Sequence, residues 1–211
     1  QGNAFFVKCD VSVAEEVENA IETINDRFEN SIDVLFNHAG TVIIKPFLET
    51  TESEWDWMMD VNVKSMYLMT RAVLPSMLEK NTGQIILFGS IAGMCPLENM
   101  SAYCASKAAV NIFGEILAKE VQDTNIRVMV VCPAQTDTPL MRFVDETDAP
   151  DAINTAVKKG MLCDPEEVVD QIEKDLLTDK IICYPSKEAV YATRIRRFFP
   201  NYWWKLVAKN S

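Results

Sequence analysis

Short uninterrupted apolar runs alternate along this chain with segments in which apolar residues recur every three or four positions. The first pattern suits strands buried on both faces of a parallel sheet, and the second suits amphipathic helices. Ala4–Val7 predicts a first strand, followed by a helix whose buried stripe is Val17, Ile21, Ile24 and Phe28. Ile32–Phe36 predicts the next strand. A long helix then runs from about Ser53 to Leu78, with Trp55, Met58, Met59, Met66, Met69, Val73 and Met77 along its buried side. That methionine stripe reads as core packing. Residues 84–89 predict a strand, 101–122 a helix, 126–132 a strand, and Ile181–Tyr184 a last short strand. Asp164-Pro165-Glu166-Glu167 opens a helix with a capping acid, proline at the first position and acids in the first turn. Alternating strands and helices predict an α/β fold built on a doubly wound parallel sheet. Residues 1–188 form one domain, with residues 189–211 as its basic aromatic tail.

The chemistry gathers at one strand end. The run Gln84–Gly89 delivers Ser90 to the carboxyl end of its strand, where open α/β sheets place ligands. Thirteen positions on, Tyr103 and Lys107 stand four apart, which puts phenol and ammonium on one helix face. A nearby positive charge favours phenolate and pulls the tyrosine below its usual pKa of about 10. That makes Tyr103 a proton donor and acceptor for a reaction that interconverts a carbonyl and an alcohol. Alone, Ser90 is a turn residue and Tyr103 an ordinary half-buried tyrosine; the strand-end serine and the Tyr-x-x-x-Lys together favour catalysis.

At these residues the chain resembles the short-chain dehydrogenase/reductase family, which is Rossmann-type. Asp10 resembles the acid that follows the family's third strand and contacts adenine. Asn37-His38-Ala39-Gly40 is similar to its Asn-Asn-Ala-Gly element, and Asn62 to the helix asparagine that completes a catalytic tetrad. Pro133-Ala134-Gln135-Thr136-Asp137-Thr138 resembles the segment that lies against the nicotinamide. The resemblance implies a catalytic set of Asn62, Ser90, Tyr103 and Lys107. It implies cofactor contacts from Asp10, Asn37, Ala39, Gly40, Tyr103, Lys107, Pro133, Thr136 and Thr138, with NAD or NADP undecided. Tyr103 would be the general acid/base, Lys107 would depress its pKa and hold the nicotinamide ribose, and Ser90 would hydrogen-bond the substrate oxygen. Asn62 would hold a water in the proton path.

Two positions depart from the family pattern: His38 stands for its second asparagine, and Ala134 for the glycine after Pro133. The glycine-rich turn that receives the pyrophosphate is also absent, since the chain has seven glycines and no G-x-G-x-x-G. The expectation is that two strand–helix units, roughly 50 residues in such folds, precede Ala4–Val7 in the complete protein. Without them, Ala4–Val7 would be cut off from the rest of the sheet, leaving an open edge beside Ile32–Phe36.

Composition narrows the classes further. With 211 residues, 48% of them hydrophobic, the chain can bury a full core as one domain. Six cysteines without a C-x-x-C read as small core residues in a reducing compartment, hence a cytoplasmic setting. With a single histidine, no metal site is expected. A net charge of −11 argues against a nucleic-acid partner. Five of the 20 basic residues and none of the 31 acidic ones lie after Glu188, so the chain up to there carries −16 and the tail +5. Phe198, Phe199, Tyr202, Trp203 and Trp204 interleave with these charges. Such a tail suits a membrane surface, the acidic body, or another subunit. The family's tetramer-forming ending is absent, and a homodimer remains open.

The stretch from Pro133 to Asp164 is long for a connection and holds Leu140, Met141, Phe143 and Val144. It reads equally as a substrate cover and as a helix packed on the core. The whole points to hydride transfer between a nicotinamide cofactor and an apolar secondary alcohol or ketone. The alternative is a non-catalytic relative acting as a binding or regulatory module. A serine hydrolase is nearly excluded, because there is no G-x-S-x-G elbow and the sole histidine lies upstream of Ser90.

Overall fold

Four strands lie side by side in chain order, all parallel: β1 (Val34–Asn37), β2 (Gly83–Phe88), β3 (Ile126–Val131) and β4 (Ile182–Cys183). This computed structural model describes residues 4–28, 32–140, 149–160 and 162–208. Leu35 pairs with Ile85, Ile85 with Val128, and Val131 with Cys183. The apolar runs explain the order. Ile85, Ile86 and Leu87 are fully buried, which a strand achieves only between two neighbours and beneath helices on both faces.

Both faces are covered, by different helices. On one side, Leu35, Ile85, Leu87 and Val128 pack against α1 (Ala14–Phe28), α3 (Ser65–Lys80) and α4 (Ser101–Glu120) through Val17, Met66, Met77, Val110 and Leu117. On the other, Ile86, Met129 and Val131 meet Val168 and Ile172 of α6 (Pro165–Leu176). Ile85 and Leu87 face one layer and Ile86 the other, as the two-residue period of a strand requires. Asp164 caps α6 with Pro165 at its first position, as expected.

The expected long helix is one rod with an irregular centre. The rod starts as α2 (Glu52–Met59) behind a reciprocal Thr51–Glu54 capping box. It passes through a π-turn at Asp60–Lys64 and continues as α3. Met58, Met66, Val73 and Met77 are buried as predicted, whereas Trp55 is exposed. The connection after β3 holds a short helix, α5 (Asp151–Lys158), whose Ile153 is buried. Leu140 is exposed, and Met141, Phe143 and Val144 lie outside the described residues. The tail forms α7 (Lys187–Phe198) and α8 (Pro200–Ala208).

Ala4–Val7 is not a strand. Among the described residues β1 pairs only with β2, and no strand lies on its other edge, where Phe36 is 54% exposed. With no neighbouring strand to pair, the segment runs beside α1 instead. There the Phe5 ring lies 5.6 Å from that of Phe28, and the Arg27 guanidinium sits 4.6 Å over it. Among the described residues no helix is long and apolar enough to cross a membrane.

Candidate active site

The carboxyl ends of β1 and β2 meet the first turns of α4 at a buried ammonium. Alanines at 102, 105, 108 and 109 make α4 a strong helix, and its inward face carries Ala102, Ser106, Lys107, Val110, Asn111, Gly114 and Leu117. Lys107 is therefore buried by its position on the helix, and its Nζ donates to the Phe88 carbonyl at 2.8 Å, at the end of β2. Burial disfavours the charged form and lowers its pKa to about 8. One turn earlier, the half-buried Tyr103 ring has its centroid 5.9 Å from that Nζ. The Ser90 hydroxyl lies near enough to the Tyr103 hydroxyl to favour the phenolate.

The expectation that Lys107 draws the Tyr103 pKa down does not hold in this state. Burial is the dominant influence and pushes the phenol up, and the opposing influence is the Ser90 hydroxyl rather than the ammonium. Desolvation of both groups outweighs the attraction between them. The phenol is thus held protonated.

Ser90 is fixed by a residue that the sequence reading did not single out. Asn111 is one turn beyond Lys107 on the same face of α4. Its Nδ2 donates to the Ser90 carbonyl at 3.0 Å, and its Oδ1 accepts from the Ser90 N–H at 3.4 Å and from Cys132 Sγ at 3.4 Å. Two glycines make room for the amide. A Cβ on Gly89 would collide with Asn111 Oδ1, and one on Gly93 would lie 2.6 Å from its Nδ2 and 2.7 Å from the Ala108 backbone nitrogen. The Ser90 Oγ in turn accepts from the Ala92 N–H at 3.0 Å, opening a 3₁₀ turn.

Asn62, fully buried in the π-turn, makes the same kind of grip on the loop after β1. Its Nδ2 donates to the Thr41 carbonyl at 2.9 Å, to Ser106 Oγ at 2.9 Å and to Met58 Sδ at 3.2 Å, and its Oδ1 accepts from the Thr41 N–H at 2.7 Å. Its amide hydrogens are committed to protein acceptors. The gripped loop lies over Lys107. A Cβ on Gly40 would stand 3.4 Å from both Lys107 Nζ and Asn62 Oδ1. His38, Ala39 and Gly40 are exposed, and the His38 ring meets Phe88 edge-on at 4.4 Å. Partial desolvation of the ring against Phe88, then the Lys107 charge, lowers the His38 pKa.

The remaining expected residues divide. Asn37 turns its amide away from this cluster into the core, donating to Thr70 Oγ1 at 3.1 Å and to the Met66 carbonyl at 3.5 Å. Asp10 is exposed, and its carboxylate accepts from the Ser12 N–H at 2.9 Å and hydroxyl at 2.6 Å, which hold its pKa below the usual range. Pro133 ties the loop after β3 to the serine loop, its carbonyl accepting from Ile91 N–H at 3.2 Å. Thr136 bridges to Cys163 and donates its hydroxyl to the Ala134 carbonyl at 3.0 Å, and Thr138 is half-buried. An apolar cluster of Met100, Ala149, Ile153, Val42, Ile44 and Leu97 surrounds Tyr103.

The family model of the short chain dehydrogenases matches residues 1–149. The chain belongs to the short-chain dehydrogenase family. An Arabidopsis thaliana tropinone reductase homolog is 38% identical over 64% of this chain and 50% of its own length. Oxidoreductase UcpA of Salmonella typhimurium is 33% identical over 77% of the chain and 64% of its own length. The chain spans about half to two thirds of the curated relatives it matches. A short-chain dehydrogenase from Streptomyces avermitilis has the same fold, with a TM-score of 0.78 at 26% identity over 97% of this chain and 81% of its own.

Short-chain dehydrogenases use NAD or NADP. The residues present fit the nicotinamide end of such a cofactor. Bare backbone at Gly40 leaves a cradle against Lys107, only one of whose three N–H donors goes to the Phe88 carbonyl. Lys107, the backbone of Ala39 and Gly40, and the Pro133–Thr138 loop would hold it. Among the described residues, no group of three or more His, Cys, Asp or Glu side chains is placed to bind a metal.

Proposed function

We propose that this chain carries the proton-transfer and nicotinamide-side machinery of an oxidoreductase acting on an apolar secondary alcohol or ketone. The bound cofactor supplies or accepts the hydride. Tyr103 gives a proton to the substrate oxygen in reduction and takes it in oxidation. Its phenol, held protonated by burial, is the form a carbonyl requires. Ser90 donates to the same oxygen as negative charge develops there, and one such donor is typically worth about 3 kcal/mol. Lys107 holds the ribose hydroxyls with the donors that Phe88 leaves free. The apolar cluster around Tyr103 favours a hydrophobic substrate, because a polar one would leave its own groups unpaired there.

This reading rests on the Ser90 and Tyr103 side chains lying beside a buried ammonium at the carboxyl end of β2. The test is Tyr103→Phe in the protein that contains this chain. Turnover should fall by about 10²–10⁴-fold, the usual contribution of a general acid–base group, with cofactor binding largely intact. Near-normal turnover by Tyr103→Phe with a carbonyl substrate of the native protein would sink the assignment.

A further inference from the structure

We propose that α7 and α8 form a docking surface for an anionic lipid bilayer. Trp203 seats the tail on the body: it is buried, and its Nε1 donates to the Pro96 carbonyl at 3.0 Å. That anchor, with Ala189 of α7 also buried, leaves the outer sides of both helices facing outward. Phe198 and Phe199 are 68% and 64% exposed, and Tyr202, Trp204 and Leu206 are exposed beside them. Arg194, Arg197 and Lys205 are exposed among these rings, and Arg196 lies 5.8 Å over the Trp204 ring. No acid occurs after Glu188, although the chain up to and including it carries −16. Large exposed rings cost free energy in water, and clustered cations without counter-charges call for an anionic partner.

The arrangement around α8 favours a lipid surface over a protein. In this nine-residue helix only Trp203 and Val207, four apart, turn inward, while Tyr202, Trp204, Lys205 and Leu206 project on the remaining sides. A rigid partner would cover one face of such a helix. A fluid interface surrounds it, taking the rings to headgroup depth while the cations pair with anionic lipids. The same seating sets the patch near the cluster around Tyr103, because α8 packs on α5 and Pro96 precedes Leu97 of that cluster.

Co-sedimentation of the protein with two vesicle types tests the surface. Phosphatidylcholine mixed with phosphatidylserine should bind it, and phosphatidylcholine alone far less, with binding lost as salt is raised. The triple variant Arg194→Glu, Arg197→Glu, Lys205→Glu should lose on the order of a hundredfold in affinity, each cation near such a surface contributing about a factor of five. Phe198→Ser with Phe199→Ser should weaken binding while circular dichroism stays native. Absence of binding, or equal binding by native and triple-variant protein, overturns the proposal. So does a dimer in sedimentation velocity that the triple variant abolishes while neither protein binds vesicles, since that would assign the surface to a second copy.

Discussion

Asn62 and Asn111 are two buried amides doing one job on two neighbouring loops, and they differ in how the backbone makes room for them. Each accepts from and donates to the backbone of a single residue, Thr41 for Asn62 and Ser90 for Asn111. An amide paired in this way imitates a strand neighbour and leaves no buried polar group of that residue unmet. Asn62 is brought into place by a distortion of its own helix, the π-turn at Asp60–Lys64, a device frequent at functional sites. Asn111 sits in regular α-helix, and the opposite loop accommodates it with glycine on both sides of the serine turn. The gripped residues differ as well. Ser90 itself touches Tyr103, whereas Thr41 only steadies the loop whose Gly40 lies against Lys107. The Asn111 clamp should therefore act on the chemical step and the Asn62 clamp on cofactor binding.

The largest effect is expected where the room for Asn111 is removed. Gly93→Ala places a methyl 2.6 Å from Asn111 Nδ2 and 2.7 Å from backbone atoms of Lys107 and Ala108, which no side-chain rotation relieves. Overpacking against backbone should cost about 3 kcal/mol or more and remove most activity. Chemical denaturation and steady-state rates report both. Gly40→Ala, whose new methyl would stand at 3.4 Å from its neighbours, should cost far less stability. Equal losses from the two would erase the distinction between the clamps.

Next in size is Asn111→Leu, which keeps the branched shape but frees the Ser90 N–H and carbonyl. With Ser90 no longer held, kcat should fall about 10²-fold, in the range for loss of one stabilising donor, while the cofactor KM and the pH profile stay near native. Asn111→Gln or Asn111→Asp should recover part of the loss, and a purely structural amide would show neither the kcat-only pattern nor the rescue. Asn62→Leu should do the reverse, raising the cofactor KM roughly 30-fold with a smaller change in kcat. If both variants moved the same constant, the two loops would be acting as one unit.

How much of this was legible in the sequence follows from which forces leave a pattern. β2, β3, α4 and the start of α6 were readable because burial on both faces, helical spacing and capping all write themselves into short stretches. That Asn62, Ser90, Tyr103 and Lys107 would gather at one strand end was readable through motif spacing and family resemblance. Asn111 was overlooked, yet Tyr103, Lys107 and Asn111 stand at i, i+4 and i+8, three polar side chains on the buried face of one helix. Gly89 and Gly93 flanking Ser90 were the matching signal from the other loop. Ala4–Val7 is not a strand here although its apolar run reads as one, because a strand exists only with a partner to bond, and its separation from the sheet was expected. Trp55 falls on the helical stripe, but α2 packs against α4 with Met58 buried and leaves Trp55 exposed. The direction of the Tyr103 pKa was not legible at all, since spacing sets charge proximity while desolvation depends on everything packed around the ring.

The smallest expected effect separates the third member of that helix face from the asparagines. Lys107 has a pKa of about 8 in the folded chain, below the 10.5 of an exposed lysine. A base whose folded pKa is lowered binds fewer protons when folded, so stability rises with pH between the two values. Burying the ammonium therefore costs most below pH 8, and the cost is relieved as pH climbs from 8 towards 10.5. Lys107→Met removes this dependence. Whatever offset it shows at pH 7 from the unpaired Phe88 carbonyl, the native protein should gain about 1 kcal/mol on it between pH 7 and pH 9. Asn111→Leu and Asn62→Leu remove no titrating group, and their differences from native should stay level over that range. Denaturation midpoints of the four proteins at the two pH values provide the measurement. A level difference for Lys107→Met as well would mean that the ammonium keeps an ordinary pKa, and that Lys107 is as well matched to its surroundings as the two amides beside it.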